Sequence, residues 1–244
     1  MRRYLLRVPV AEAEPALARM LELFPDGVVE EREGDQVVVS GYADAAPAAD
    51  LESEPVQDGW AERWREHHRA ARVGRLWIGP PWIEPEQEPV VIDPGHAFGT
   101  GAHGSTRAAL ELLGRMPPGP ALDLGCGSGV LSIAALRLGF GPLQAFDIDP
   151  LAVQAAAVNA ARNGVEFPVA RADVLADPLP DAPLWIANLQ LDLLERLLSR
   201  RDLPPRILAS GMVEGQTLAG LADVLDTAVA DGWVGELVAS RGRG

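Results

Sequence analysis

Asp123, Gly125, Gly127 and Gly129 stand at D-x-G-x-G-x-G spacing in the stretch ALDLGCGSG, and Asp147 and Asp149 follow in LQAFDID. The first run is a short apolar strand, the VLSIAALRLG after it has helical character, and the second run is another strand ending in acids. A βαβ unit with a glycine-rich first turn and an acid about twenty residues on is a nucleotide-binding pattern. Glycine has no Cβ, so such a turn is tight and a ligand approaches its backbone closely. A carboxylate at the end of the second strand accepts hydrogen bonds from both hydroxyls of a ribose. The ligand these residues fit is an adenosine-containing cofactor.

The glycine spacing narrows the choice. A dinucleotide fingerprint reads G-x-G-x-x-G, whereas here the third glycine comes two residues after the second. In dinucleotide enzymes the backbone N–H groups at the helix start hold a pyrophosphate. Asp123 directs negative charge at that same turn, which repels an anion and favours the ammonium and sulfonium of S-adenosylmethionine. A nicotinamide or flavin enzyme is the alternative, and a glycine turn serving structure alone is another.

Further polar residues fall at strand ends or in loops. Asp173 ends FPVARAD and Asn188 ends LWIAN. His103 is a candidate proton acceptor, weighed against the structural hydrogen bonding that loop histidines more commonly serve. Cys126, inside the glycine turn, reads as a small packing residue rather than a nucleophile.

These residues need a scaffold. From residue 120 the pattern alternates: ALDL, a helix over 129–138, LQAFDID, a helix over 151–162, FPVARAD, LWIANL, a helix over 191–200, RILASGM, a helix over 216–231 and WVGELVAS. Such alternation implies an α/β fold, a parallel sheet with helices on both faces. Ligands there bind beyond the carboxyl ends of the strands, where Asp123, Asp147, Asp173 and Asn188 all fall. Upstream, residues 4–42 read β-α-β-β. YLLRVPV is a strand, Leu17, Met20, Leu21 and Phe24 form a helical apolar stripe, and two runs flank a Gly34-Asp35 turn. The expected division is a small α+β domain with its linker over 1–55, a connecting helix over 56–75 carrying Trp60 and Trp64, and a catalytic domain over 76–244.

The 244 residues carry a formal charge of −14, which argues against direct nucleic-acid binding through a basic face. No apolar run reaches the roughly twenty residues a membrane span needs, and the N-terminus lacks the apolar stretch of a signal peptide. The single cysteine excludes an internal disulfide and a cysteine-cluster metal site. A cytoplasmic, soluble protein is expected, with no metal. There is no lysine, so any lysine methylation falls on a partner.

D-x-G-x-G-x-G is similar to the first motif of class I methyltransferases. With IDPGHAFGTGAHGSTR over 92–107, DIDPLAV and IANL over 186–189, the chain resembles the bacterial PrmA family, which methylates the eleventh protein of the large ribosomal subunit. The resemblance implies a class I methyltransferase (Rossmann-like) doubly wound sheet with a small N-terminal α+β domain for recognising that ribosomal protein. It further implies that Phe98, Gly99, Thr100 and Gly101 close over the cofactor and that Thr106 holds its methionine end. Gly125, Gly127 and Gly129 would pass beneath it, with Asp147 and Ile148 at the ribose and Asp173 near the adenine. Asn188 would accept a hydrogen bond from the target amine, a lysine or an N-terminus.

The chain differs from the family in Ala102-His103 and Ser105-Thr106, where paired histidines and paired threonines are usual, and in Leu-Gln-Leu-Asp after Asn188. The segment after Gly232 is expected to be too short for the family's closing hairpin. Open alternatives are a class I methyltransferase of another protein, an RNA or a small amine, and a cofactor-binding interaction module without catalysis.

Overall fold

The computed structural model describes residues 2–241 apart from 10–11, 13–14, 17–18, 21–22, 25–27, 35, 44–45, 56–68 and 94–102. The described residues form two compact units, Met1–His67 and His68–Gly244. The connecting helix and its tryptophans fall mostly outside the described residues. Where that helix was expected to continue, Ala71–Val73 is a strand.

The first unit is a four-stranded antiparallel sheet of β1 (Arg2–Pro9), β2 (Val29–Glu33), β3 (Gln36–Ala43) and β4 (Glu52–Pro55), in the order β2-β3-β1-β4. The expected hairpin forms at Gly34, whose φ of 66° suits glycine. Ala16, Met20 and Phe24 are buried at helical spacing against Tyr4, Val37 and Val39. Phe24 lies flat on Gly41, where a Cβ would come within 2.2 Å of its ring. One expectation needs correction: residues 52–55, read as linker, pair with β1 as an edge strand. Their residues are exposed, so no apolar alternation marked them; Arg3–Glu54 and Arg2–Ser53 contacts help hold them.

The second unit opens with a small sheet, β5 (Ala71–Val73), β6 (Leu76–Gly79) and β7 (Pro89–Val91), in which β6 and β7 are parallel. Then come α1 (Gly104–Arg115), β8 (Ala121–Leu124), α2 (Val130–Arg137), β9 (Leu143–Asp147), α3 (Pro150–Arg162), β10 (Val169–Arg171), β11 (Leu184–Asn188), α4 (Leu191–Leu198), β12 (Arg206–Val213), β13 (Asp223–Ala230) and β14 (Trp233–Ala239). The main sheet runs β10-β9-β8-β11-β12-β14-β13, with the first five strands parallel. The order reverses between β8 and β11, the switch point beside which ligands bind in such sheets.

Successive strand residues point to opposite faces, and both faces are covered. Ala121, Leu184, Ile186 and Leu208 pack with α1 and α2, while Leu122, Leu124, Trp185, Ala187, Ile207 and Ala209 pack with α4. This burial on both sides explains the nearly unbroken apolar runs of the central strands.

The helix expected over 216–231 is absent. Residues 223–230 form β13, which pairs with β14 through the turn at Asp231-Gly232, so the closing hairpin is complete with two full strands. Leu218, Leu221, Ala222 and Leu225 imitate a helical stripe, which is why periodicity misread the segment. In fact Leu218 and Ala222 are buried, while Leu221 and Leu225 are about half exposed. Helix α1 buries Ala108, Ala109 and Leu112 on the hairpin side, and Gly235 lets that helix approach closely, a Cβ there meeting Ala108 and Leu112 at 3.2–3.3 Å. Among the described residues no helix is long and apolar enough to cross a membrane.

Candidate functional site

The glycine turn follows β8 directly. Gly125, Gly127 and Gly129 have φ of 75°, 53° and 80°, a region side chains avoid, so all three positions need glycine for conformation alone. Gly125 and Cys126 donate their N–H groups to the Phe146 carbonyl (2.8 and 3.0 Å), pinning the turn to β9. Gly129 also lets α2 start against α3, since a Cβ would meet Ala156 at 3.1 Å. Above the turn opens a cavity of about 420 Å³, within the usual range for small-molecule sites.

Of the residues singled out in the sequence, Gly125, Gly127, Asp147, Ile148, Asp173 and Asn188 line this one cavity. Asp147 accepts from Gly127 N–H (2.9 Å) and Asp149 N–H (3.0 Å), which fixes the carboxylate plane. Its remaining lone pairs serve a ligand. Asp173 opens a turn, accepting from Leu175 N–H at 3.0 Å. Arg200 secures that wall by donating to the carbonyls of Val174 and Asp177, and Arg171 secures Ile148 in the same way, all at 3.0 Å.

Asn188, at the end of β11, donates its amide Nδ2 to Thr106 Oγ1 at 3.4 Å. That contact turns Oδ1 into the acceptor Asn188 has to offer. The segment behind it is held by an unusual approach: Gly211 (φ 102°) sits where a Cβ would come within 2.2 Å of the Leu189 carbonyl oxygen, and Leu189 N–H donates to Ser210 O at 2.9 Å. Gly211→Ala is therefore expected to cost about 1–3 kcal/mol of stability through backbone strain. It should also displace Asn188 enough to lower kcat; a urea titration beside single-turnover kinetics checks both.

Two of the residues named from the sequence, Thr106 and Asp123, are buried and do not line the cavity. Thr106 is fully buried and meets Asn188 through its hydroxyl. Asp123 is 1% exposed and accepts from Ser132 Oγ at 2.5 Å. Burial raises its pKa to about 6, against the lowering effect of the Ser132 hydroxyl and backbone N–H, with the nearby Asp147 charge raising it further. Helix α2 has Gly129 as its N-cap and no side chain capping it, so Asp123 supplies the negative group at that end. The helix terminus that holds pyrophosphate in dinucleotide enzymes is thereby already taken by the protein's own carboxylate. The expected exclusion of an anion has a physical basis, but Asp123 acts from beneath the turn.

His103 is not among the cavity-lining residues either. It is the N-cap of α1: Nδ1 accepts from Ser105 N–H (3.3 Å) and lies 2.8 Å from Ser105 Oγ, while its ring packs on Trp233 at 4.4 Å between centroids. Burial lowers its pKa. Its Nδ1 is engaged in the helix cap, and the ring stands outside the cavity lining. Cys126 is buried against Ala145 and Ala156 and its thiol is pushed up by burial, which suits packing. Phe98, Gly99, Thr100 and Gly101 lie outside the described residues.

Several cavity residues escaped the sequence reading. Leu189, Leu193 and Arg196 share one face of α4 and its approach at i, i+4, i+7 spacing, and with Val174 and Leu175 they line the cavity. Leu189 also covers Gly125, whose added Cβ would meet its side chain at 2.6 Å. The helical period was legible; that this face looks at the cavity was not.

The donor set fits an adenosine-bearing cation: one fixed carboxylate for ribose hydroxyls, a second beside an apolar slot for a purine, and a helix end closed to phosphate. A family model described as ribosomal protein L11 methyltransferase (PrmA) matches residues 31–220. The ribosomal protein L11 methyltransferase of Geobacter metallireducens is 38% identical over 203 residues, which is 79% of this chain and 64% of that protein. The one from Pelotomaculum thermopropionicum is 35% identical over 222 residues, 85% of this chain and 72% of that protein. The chain thus spans under two thirds of the Geobacter protein's length. A crystal structure of a ribosomal protein L11 methylase from Lactobacillus delbrueckii subsp. bulgaricus superposes with a TM-score of 0.62 at 28% identity, covering 70% of this chain and 98% of that one. The fold is the class I methyltransferase fold.

Proposed function

The chain belongs to the PrmA family of ribosomal protein L11 methyltransferases, and from that premise we propose that it transfers methyl groups from S-adenosylmethionine to amines of ribosomal protein L11, in the cytoplasm. The observation that carries the reading is the convergence of Asp147, the glycine turn and Asn188 on one cavity. A bound S-adenosylmethionine supplies an activated methyl group on a positive sulfonium. The protein supplies alignment and a neutral amine. Asp147 grips the ribose, Asp173 and the apolar wall of Val174 and Leu175 take the adenine, and Gly125 and Gly127 offer backbone beneath the cofactor. In this reading Phe98, Gly99, Thr100 and Gly101 cover it.

A lysine amine of pKa about 10.4 is mostly protonated at neutral pH. Desolvation against Leu189 favours its neutral form, and Asn188 Oδ1 accepts one N–H so that the lone pair faces the methyl carbon. As the N–CH3 bond formed, the S–CH3 bond would break with its electron pair left on sulfur as a neutral thioether, and the methylated ammonium would release its proton to solvent.

The test is incubation with methyl-labelled S-adenosylmethionine and RNA-free ribosomal proteins, with the label located by mass spectrometry. Label on L11 lysines or its N-terminal amine is expected. Cofactor binding with label on another acceptor only would keep the transfer chemistry and overturn the L11 assignment.

A further inference from the structure

Helix α3 and its C-cap carry two buried asparagines one turn apart, Asn159 and Asn163, at 1% and 7% exposure. Neither faces the cavity, yet between them they make six hydrogen bonds, five of them to backbone outside α3. Asn163 Oδ1 accepts from Val91 N–H (2.8 Å), and its Nδ2 donates to Val91 O (2.7 Å) and Asn159 O (2.8 Å). Asn159 Oδ1 accepts from Asp93 N–H (3.0 Å), and its Nδ2 donates to Ser128 O (3.0 Å) and Asp93 O (3.4 Å). With N–H groups on one side and carbonyls on the other, only one orientation of each amide satisfies all its partners.

The spacing has a geometric cause. Two residues of strand advance about 6.6 Å and four residues of helix about 6 Å, so amides at i and i+4 meet the same-edge groups of strand residues i and i+2. Val91 and Asp93 present that edge; Ile92 N–H turns the other way, to Gly79 O at 2.9 Å. β7 is an edge strand of its sheet, and the two amides pair its outer side as another strand would. Arg162 adds an ion pair to Asp93 at 3.2 Å.

The rungs differ in one respect. Asn163 joins β7 to α3 alone, whereas Asn159 also reaches Ser128, inside the glycine turn. We propose that Asn159 is a positioning residue for the cofactor site, its amide fixing the glycine turn at Ser128 against the chain at Asp93. Ser128 lies between Gly127 and Gly129, so releasing its carbonyl loosens the backbone over which the cofactor passes. The inference rests on the S-adenosylmethionine reading of the cavity.

The full chain, Asn159→Ala and Asn163→Ala are compared by calorimetric titration with S-adenosylhomocysteine and by thermal unfolding. Both variants lose buried hydrogen bonds, so both should lower Tm. Asn159→Ala should raise the Kd by about tenfold to a hundredfold, while Asn163→Ala should leave it within about twofold. Asn159→Asp, which keeps the acceptor for Asp93 N–H and loses the donor to Ser128, should also raise the Kd, and it serves should the alanine variant fail to fold. Equal Kd changes in the Asn159 and Asn163 variants would overturn the proposal and leave a purely structural ladder. A wild-type chain that binds no S-adenosylhomocysteine would instead overturn the cofactor reading.

Discussion

Asp147→Ala is expected to weaken S-adenosylmethionine binding by about two to three orders of magnitude in a chain that still folds. Two charge-assisted hydrogen bonds to ribose hydroxyls are lost, each worth roughly 1.5–3 kcal/mol, and about 1.4 kcal/mol corresponds to a tenfold change in Kd. The N–H groups of Gly127 and Asp149 lose their acceptor as well, which loosens the turn the cofactor rests on. Both sit where water can replace the carboxylate, so the fold should survive. Asp147→Asn should fall between wild type and alanine, because an amide keeps one acceptor oxygen and turns a donor towards the other hydroxyl. Titration with S-adenosylhomocysteine at fixed ionic strength reads the effect directly, and unchanged affinity in the alanine variant would remove Asp147 from the site.

Asn188→Ala should show the opposite division: cofactor affinity within a few-fold of wild type and kcat lower by about a hundredfold or more, the scale on which losing orientation of a reacting group acts. Asn188 borders the cavity, and its side-chain amide donates to the buried Thr106. Removing it takes away the acceptor that aligns the amine but none of the groups assigned to the ribose or the adenine. Thr106→Val keeps shape and loses the hydroxyl, so Asn188 keeps its place with a freer amide; its kcat should lie between the two. Single-turnover rates at saturating cofactor separate this from a binding defect. If Asn188→Ala transferred methyl groups at the wild-type rate, the amine would have to be oriented by some other group.

Much of this site was legible in the sequence because its parts obey local rules. Glycines at fixed offsets after an apolar strand need positive φ, and acids ending consecutive parallel strands must converge at one sheet edge. Asp147, Asp173 and Asn188 come together on the cavity in that way. What failed was anything decided across the fold. Asp123 and Asp147 read alike as strand acids, yet side-chain parity sends the first under α2 while the second ends its strand facing the cavity. The packing of His103 on Trp233, 130 residues away, and the contact of Thr106 with Asn188 on β11 are likewise set by the fold and not by local sequence. The β13 segment misleads the periodicity because Leu225 and Val229 face solvent on an edge strand, so its apolar residues do not mark the buried face. The edge strand β4 carried no apolar signal at all.

The topology of the closing hairpin bears on how the protein is made. A chain emerges from synthesis amino end first, but β14, made after β13, lies between β13 and β12. Every residue lining the cavity has been synthesised by Arg196, yet the α1 corner is not supported until Trp233 arrives beneath His103 and Gly104, and Arg107 pairs with Asp231. Before then β12 has a bare hydrogen-bonding edge, the kind of surface that recruits stray strands. A nascent chain halted between residues 197 and 232 therefore holds all its cavity residues with α1 lacking its backing. Sealing the sheet with a late-made inner strand delays completion of that corner until nearly the whole described fold has been translated.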